Sequence, residues 1–414
     1  MPGTRKSTAS AAVILGLLVH VALNVQYLAY PTLHAEDGSI LLARYYHADG
    51  LRLLCAPYAG YVSLIPNVLG WVACRLPTQW IPYSMAWIAV CIHAAALSVL
   101  ALTASRGLSS RFRVACSMFL CAAPIGNYAV SCCLMYAQWS LLLILLCVCW
   151  DVGQRRLSIT KVALVHGAVW SHPMGGLVVV VLCVRSVWMN GSFAGAWLWP
   201  LFSAVLYCIC GLTANGMEGG VVLMDALDYV GVRCCVELVL STGLKSAWYD
   251  IVYRPWVWGC VSVVGWILLV SSLRWRTSRR LESPMIASWA IGILGIALPV
   301  AAFVARHGVV SIDEEWGQRY VVCTRALLVC ALCIGGYMAM SASARGRWCL
   351  AVVGVAYLLF MGRANAAYYR PQISDAAEVA RFMRHLQDEE AHCGGSRNHV
   401  GGVLERGEWE IRIE

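Results

Sequence analysis

"YPTLHAEDGSILLARYYHADG", residues 30–50, decides how the rest of the chain is read. It follows a predominantly apolar run from Ala11 to Tyr30, about the twenty residues an α-helix needs to cross a hydrocarbon core. It then sets two carboxylates side by side, Glu36 and Asp37, and continues into an amphipathic stretch from Ser39 to His47. A span that ends in adjacent acids poses a question of topology first and of chemistry second.

The 414 residues are 60% hydrophobic and only 13% charged, with a mean hydropathy of +0.67; an ordinary soluble domain is about a quarter charged. The apolar runs are helix-length and lack the alternating segments of roughly ten residues that build membrane barrels. Lipid offers backbone groups no partner, so the spans must bond internally. The expected fold class is therefore an all-α polytopic membrane protein. The net charge of +9 does not point to nucleic acid, because the basic residues are dispersed over short loops rather than gathered on one face. Arg5 and Lys6 precede the first span; Arg106, Arg111 and Arg113, then Arg155, Arg156 and Lys161, then Arg274, Arg276, Arg279 and Arg280, and Arg345 with Arg347 fall between later pairs of spans. The positive-inside rule puts every cluster, and the N-terminus, on the cytoplasmic side. No small-x-small cleavage site precedes Pro31, so the first span reads as an uncleaved anchor.

From that orientation the spans follow: Tyr83–Ala104, Val114–Tyr128, Leu134–Trp150, Val162–Ser171, Met174–Trp188, Ala194–Thr213, Trp256–Leu273, Met285–Ala305, Val321–Met340 and Trp348–Phe360. With the anchor they make about eleven transmembrane helices, and the fifth and sixth are too short to cross a core of about 30 Å untilted. Residues 1–362 form the transmembrane domain and 363–414 a small outer C-terminal tail. Three long segments share the outer face, the first loop 31–82, the second 215–254 and the tail, and long loops usually carry function. In the first, Ser39–His47 and Ala59–Leu76 carry apolar residues at helical spacing, which suits helices lying in the interface. In the tail, alternating Trp409, Ile411 and Ile413 predict a short strand.

Glu36 and Asp37 admit two readings. Asp37 can cap the helix that begins near Ser39, satisfying orphan N–H groups. Two partly desolvated carboxylates also suit general-base work, since burial raises a carboxyl pKa toward neutrality. Asp313, Glu314 and Glu315 form a second acidic cluster, either a solvated loop or, with Glu36 or Asp37, ligands for a divalent cation. Of the 20 cysteines most lie in apolar runs as small hydrophobes; the adjacent pairs Cys132–Cys133 and Cys234–Cys235 fall on the outer side, where a disulfide could form. His20, His93 and His166 lack ligand spacing. No Walker A, dinucleotide fingerprint or zinc motif occurs.

"EDG" at Glu36–Gly38, "PYAGYVSLIP" at Pro57–Pro66, "QW" at Gln138–Trp139, "HP" at His172–Pro173 and "GQRY" at Gly317–Tyr320 together resemble the GT-C superfamily of membrane glycosyltransferases, which includes protein O-mannosyltransferases and lipid A aminoarabinose transferase. The resemblance covers the topology of residues 1–210 and these short motifs. It implies a GT-C-like transmembrane domain in the bacterial inner membrane. The enzyme would transfer sugar from a polyprenyl-phosphate carrier to a glycan, lipid or protein acceptor on the outer face. Asp37 or Glu36 is then the base, and Arg319 grips the departing phosphate with bidentate N–H donors, with His172 as a second phosphate contact. Tyr58 and Tyr320 could stack on sugar rings, and Asn127, Gln138 and Trp139 could line the pocket. The superfamily includes metal-dependent and metal-free members, so the resemblance leaves a cation undecided. The competing expectation is a transporter or flippase of a lipid-linked saccharide. That class usually buries ionisable residues at mid-membrane and repeats its halves; here the acidic residues sit in outer loops and no repeat is visible.

Overall fold

The computed structural model describes residues 2–210 apart from 34–35, 48–52, 59–60, 124, 126–130, 151–157, 173 and 191–194. Beyond these it describes 322–340, 352, 355–356 and 373–413, the last without 394–396, 398–401 and 407–408. Among the described residues the chain is mostly helical, as its apolar runs imply. It divides into two units, one of residues 1–23, 94–127 and 216–368, the other of 24–93, 128–215 and 369–414.

In the first unit, α1 (Pro2–Leu23) packs along α5 (Ser110–Ala122). Small and polar residues make that close approach possible. A Cβ on Gly16 would stand 2.6 Å from Ser98 Oγ and 2.8 Å from Ser117 Oγ. Ser117 donates to the Ala12 carbonyl at 2.8 Å, and His20 Nδ1 donates to the Cys121 carbonyl at 2.9 Å. The histidine is a fastener between helices, in line with its lack of ligand spacing. Helix α10 (Val322–Met340) meets α5 where Tyr337 stacks on Phe112, ring centres 4.1 Å apart.

The second unit begins with the short α2 (Val25–Ala29) and an acidic helical turn, Asp37–Leu42, that runs on through Ala43–Tyr45. The hairpin β1 (Pro57–Tyr58) and β2 (Tyr61–Val62), then α3 (Leu64–Ala73), follow. This corrects the expected helix over Ala59–Leu76. Its first part is a hairpin, because "PYAGYV" sets aromatic and β-branched residues about a small Ala-Gly pair. Helix α3 opens with its orphan N–H groups accounted for. Leu64 N–H donates to the Trp170 carbonyl at 3.0 Å, Ile65 N–H to Ser171 Oγ at 2.9 Å, and Pro66 has none to place.

After α4 (Ile81–Ala104) come α6 (Ala137–Trp150), α7 (Ile159–Val169), α8 (Gly175–Asn190) and α9 (Leu198–Cys210). The 11 residues of α7 span only about 17 Å, as the short fifth and sixth spans foresaw. Gly175 turns α7 into α8 so tightly that a Cβ would lie 2.9 Å from Val169 Cα. The tail supplies α11 (Ile373–His392), which buries Val379, Phe382, Met383 and Leu386. Strands β3 (Gly402–Arg406) and β4 (Trp409–Ile413) pair antiparallel, with Leu404 opposite Ile411. The expected strand at 409–413 is present.

Among the described residues one helix, Thr78–Ala104, is long and apolar enough to cross a membrane; Ser7–Leu23, Ala137–Cys149 and several others are apolar but shorter. The outward faces are apolar too. Leu198, Phe202, Val205 and Ile209 of α9, and Ile14 and Leu18 of α1, are each more than half exposed at helical spacing.

Candidate functional site

The acidic turn is wound wide, with the Ala43 N–H reaching back five residues to the Gly38 carbonyl. Wide turns of this kind often mark functional positions. No side chain caps the turn itself, which corrects the expectation that Asp37 caps the helix near Ser39. The Asp37 carboxylate instead reaches across about a hundred residues of chain to the segment that leads into α6. Its Oδ2 accepts the Leu134 N–H at 2.8 Å; its Oδ1 accepts the Met135 N–H at 2.8 Å and the Cys133 thiol at 3.1 Å. The next residue, Tyr136, donates its hydroxyl to Glu36 Oε1 at 2.6 Å. Four consecutive residues thus aim four donors at two carboxylates.

Both acids are almost fully buried, Glu36 at 1% and Asp37 at 2% exposure. Burial pushes the Asp37 carboxyl up to about 6, because desolvation disfavours the charge more than the three donors and their dipoles favour it; the neighbouring Glu36 charge adds to the rise. Such a carboxyl is ionised at neutral pH yet basic enough to accept a proton. Cys133 is committed to Asp37, and Cys132 donates to Asn24 Oδ1 at 3.7 Å. Both are free thiols, so the disulfide that their adjacency suggested is not formed.

In the first turn of α6 stand Gln138 and Trp139. Gln138 Nε2 donates to the Tyr61 hydroxyl at 3.1 Å, and Ser63 Oγ donates to Gln138 Oε1 at 3.3 Å. The Trp139 ring meets His172 edge-on at 4.1 Å, and Tyr61 lies 6.5 Å from the same imidazole. The structure therefore brings Gln138, Trp139 and His172 together around the β1–β2 hairpin, and the segment 133–139 joins this group to the acidic pair. Tyr58 ends β1 opposite Tyr61. His172 Nδ1 accepts the Met174 N–H at 3.0 Å, which leaves the proton on Nε2. Burial pulls its pKa down to about 3, so this histidine is neutral and can donate a hydrogen bond from Nε2 without carrying charge.

Arg319, Tyr320, Asn127, the cluster Asp313–Glu315 and Cys234–Cys235 lie outside the described residues. Among the described residues no group of His, Cys, Asp or Glu is arranged to hold a metal. The sequence reading missed Tyr61, Cys133 and Tyr136, although the first stands inside the quoted "PYAGYVSLIP" and the last two residues before "QW". It also passed over Arg325, only 2% exposed within apolar α10; an arginine inside an apolar run was the available signal.

The irregular backbone around the acids is held by arginines that donate to its carbonyls. Arg44 reaches Pro57 at 3.0 Å, and Arg75 reaches Tyr45 at 3.2 Å and His47 at 2.9 Å. Compared with models of protein families, with curated proteins and with solved structures, the chain matches none.

Proposed function

We propose that the protein is an integral membrane glycosyltransferase of GT-C type, taking sugar from a polyprenyl-phosphate carrier to an acceptor on the outer face of a bacterial inner membrane. The observation that carries this reading is the buried Asp37 carboxylate, raised to about 6 and held in place by three donors. A carboxylate has about four acceptor positions, so one remains for the acceptor hydroxyl. As the hydroxyl oxygen bonds to the anomeric carbon, its proton passes to Asp37 and the carbon–oxygen bond to phosphate breaks on the opposite face, inverting the centre. Glu36 sits beside it as the second acid. Arg319 neutralises the leaving phosphate, with His172 as an uncharged donor. Gln138, Trp139, Tyr58, Tyr320 and Asn127 line the sugar pocket. Apolar stripes on α1 and α9 support a lipid-facing exterior, and about eleven spans remain the proposed count.

The test is transfer by the purified full chain from a labelled polyprenyl-phosphate sugar to candidate acceptors, with Asp37→Asn and Glu36→Gln alongside. Loss of turnover in at least one variant while donor binding persists supports the reading. Full transfer by both variants removes the carboxylate base. Labelled lipid crossing vesicles without any transfer or hydrolysis would instead favour a flippase.

A further inference from the structure

The sequence left the tail without a task, and its contacts in the second unit assign one. We propose that the C-terminal segment is a working part of the acidic centre, with Ile411 and Arg397 as positioning residues for Glu36 and Asp37; this rests on the reading of that pair as the centre. Two separate contacts carry it.

The first is at the motif itself. Gly38, immediately after Asp37, is buried, and the Ile411 side chain of β4 lies directly over its Cα. A Cβ at Gly38 would stand 2.7 Å from Ile411 Cγ1 and closer still to Cδ1. The glycine in "EDG" is thus explained by what the tail places there. Ile411 is itself 1% exposed, so strand β4 excludes water from one side of the acidic turn, and dehydration is what raises Asp37.

The second contact is a latch. Arg397 donates to the carbonyls of Cys74 and of Leu76, the latter at 2.7 Å, to Thr78 Oγ1 at 3.3 Å, and through Nε to Glu390 Oε1 at 3.1 Å. Its guanidinium also lies 5.0 Å over the Tyr46 ring, within cation–π range. Around it Thr78 donates to Glu390 Oε2 at 2.7 Å, and His47 Nδ1 donates to the Arg397 carbonyl at 2.6 Å. The charge is paired with Glu390 and all of these acceptors belong to the first loop or the tail, so the arginine ties one to the other. A guanidinium fork can bond several carbonyls at once, whereas an ammonium cannot match that geometry.

The test uses the full chain. Hydrogen exchange is followed by mass spectrometry in wild type, Arg397→Ala, Ile411→Ala, Gly38→Ala and the pair Gly38→Ala with Ile411→Ala. The proposal expects Arg397→Ala and Ile411→Ala to speed exchange over 36–47 and 133–139 by about tenfold or more. Helix Ser110–Ala122, in the other unit, should keep its protection. Gly38→Ala alone should do the same, and the pair should restore part of the lost protection, because removing the isoleucine makes room for the methyl. Unchanged exchange at 36–47 in both single tail variants, or no rescue in the pair, overturns the proposal. Where transfer is measurable, the acid limb of the Ile411→Ala pH profile should move below that of wild type as Asp37 gains water, a shift that a general loss of stability does not produce. A chain that shows the exchange pattern and the rescue but transfers no sugar keeps this inference and loses the glycosyltransferase reading.

Discussion

Replacing Asp37 by Asn should cost the protein more at pH 5 than at pH 7. Asp37 has its carboxyl raised from 3.8 to about 6 in the fold. A group whose folded pKa is raised stabilises the protein below its unfolded pKa, and that contribution is lost as pH rises through the folded pKa. At 1.36 kcal/mol per pKa unit, ionising Asp37 removes about 3 kcal/mol of stability at pH 7 and about half as much at pH 5. Asparagine escapes this cost at both pH values. It also turns an NH2 group toward the Leu134 or Met135 N–H that the carboxylate accepts, leaving a buried donor unmet at about 1–3 kcal/mol. At pH 7 the two effects nearly offset; at pH 5 the relief shrinks by about half while the unmet donor remains. The assay is thermal unfolding in detergent at both pH values, wild type against variant, so that other titrating groups cancel. The variant's Tm should fall relative to wild type by roughly 2 °C between pH 7 and pH 5. A gap that stays constant, or that widens toward pH 7, refutes the account of Asp37 as a carboxylate raised by burial.

Transfer activity should rise with pH through about 6 as Asp37 ionises, and His172→Gln should leave that inflection in place, since His172 is already neutral; a pH–rate profile of each decides it. Tyr136→Phe removes the 2.6 Å donor to Glu36 and should cost about 1.5–3 kcal/mol, the range for a hydrogen bond to a charged group, read as a drop in Tm. Gly175→Ala forces a methyl against the Val169 backbone and should destabilise by about 1–3 kcal/mol. Gly195→Ala meets nothing within 4 Å and should be close to neutral in the same melt.

Local signals in the chain were sound where the structure depends on near neighbours. The helical class, the short α7, the strand at Trp409–Ile413 and the placement of an acidic turn after the first apolar run all follow from spacing of two or 3.6 residues. The hairpin at Pro57–Val62 was misread because its residues also fit a helical period, and turn chemistry outweighed that period. What spacing could not reveal is the partner of each polar group. Asp37 satisfies N–H groups 97 and 98 residues away, and Arg397 finds carbonyls more than 320 residues back. Nothing in "EDGS" announces such distances; a capping reading was the natural local answer, correct about the chemistry and wrong about which backbone is capped. Gln138, Trp139 and His172 could be grouped in advance only through the resemblance, since their convergence depends on how α6 and α7 meet the hairpin.

The Arg397 latch also bears on how the protein is made. The carbonyl of Leu76 leaves the ribosome 321 residues before the arginine that binds it, about 15–65 s earlier at ordinary rates of synthesis. For that interval the first loop exists without the strand that shields its acids. The nascent chain therefore carries an acidic turn that lacks the cover of strand β4 until residues 397–413 are made, and a message truncated between codons 392 and 397 would yield a protein with every described helix and an unlatched centre.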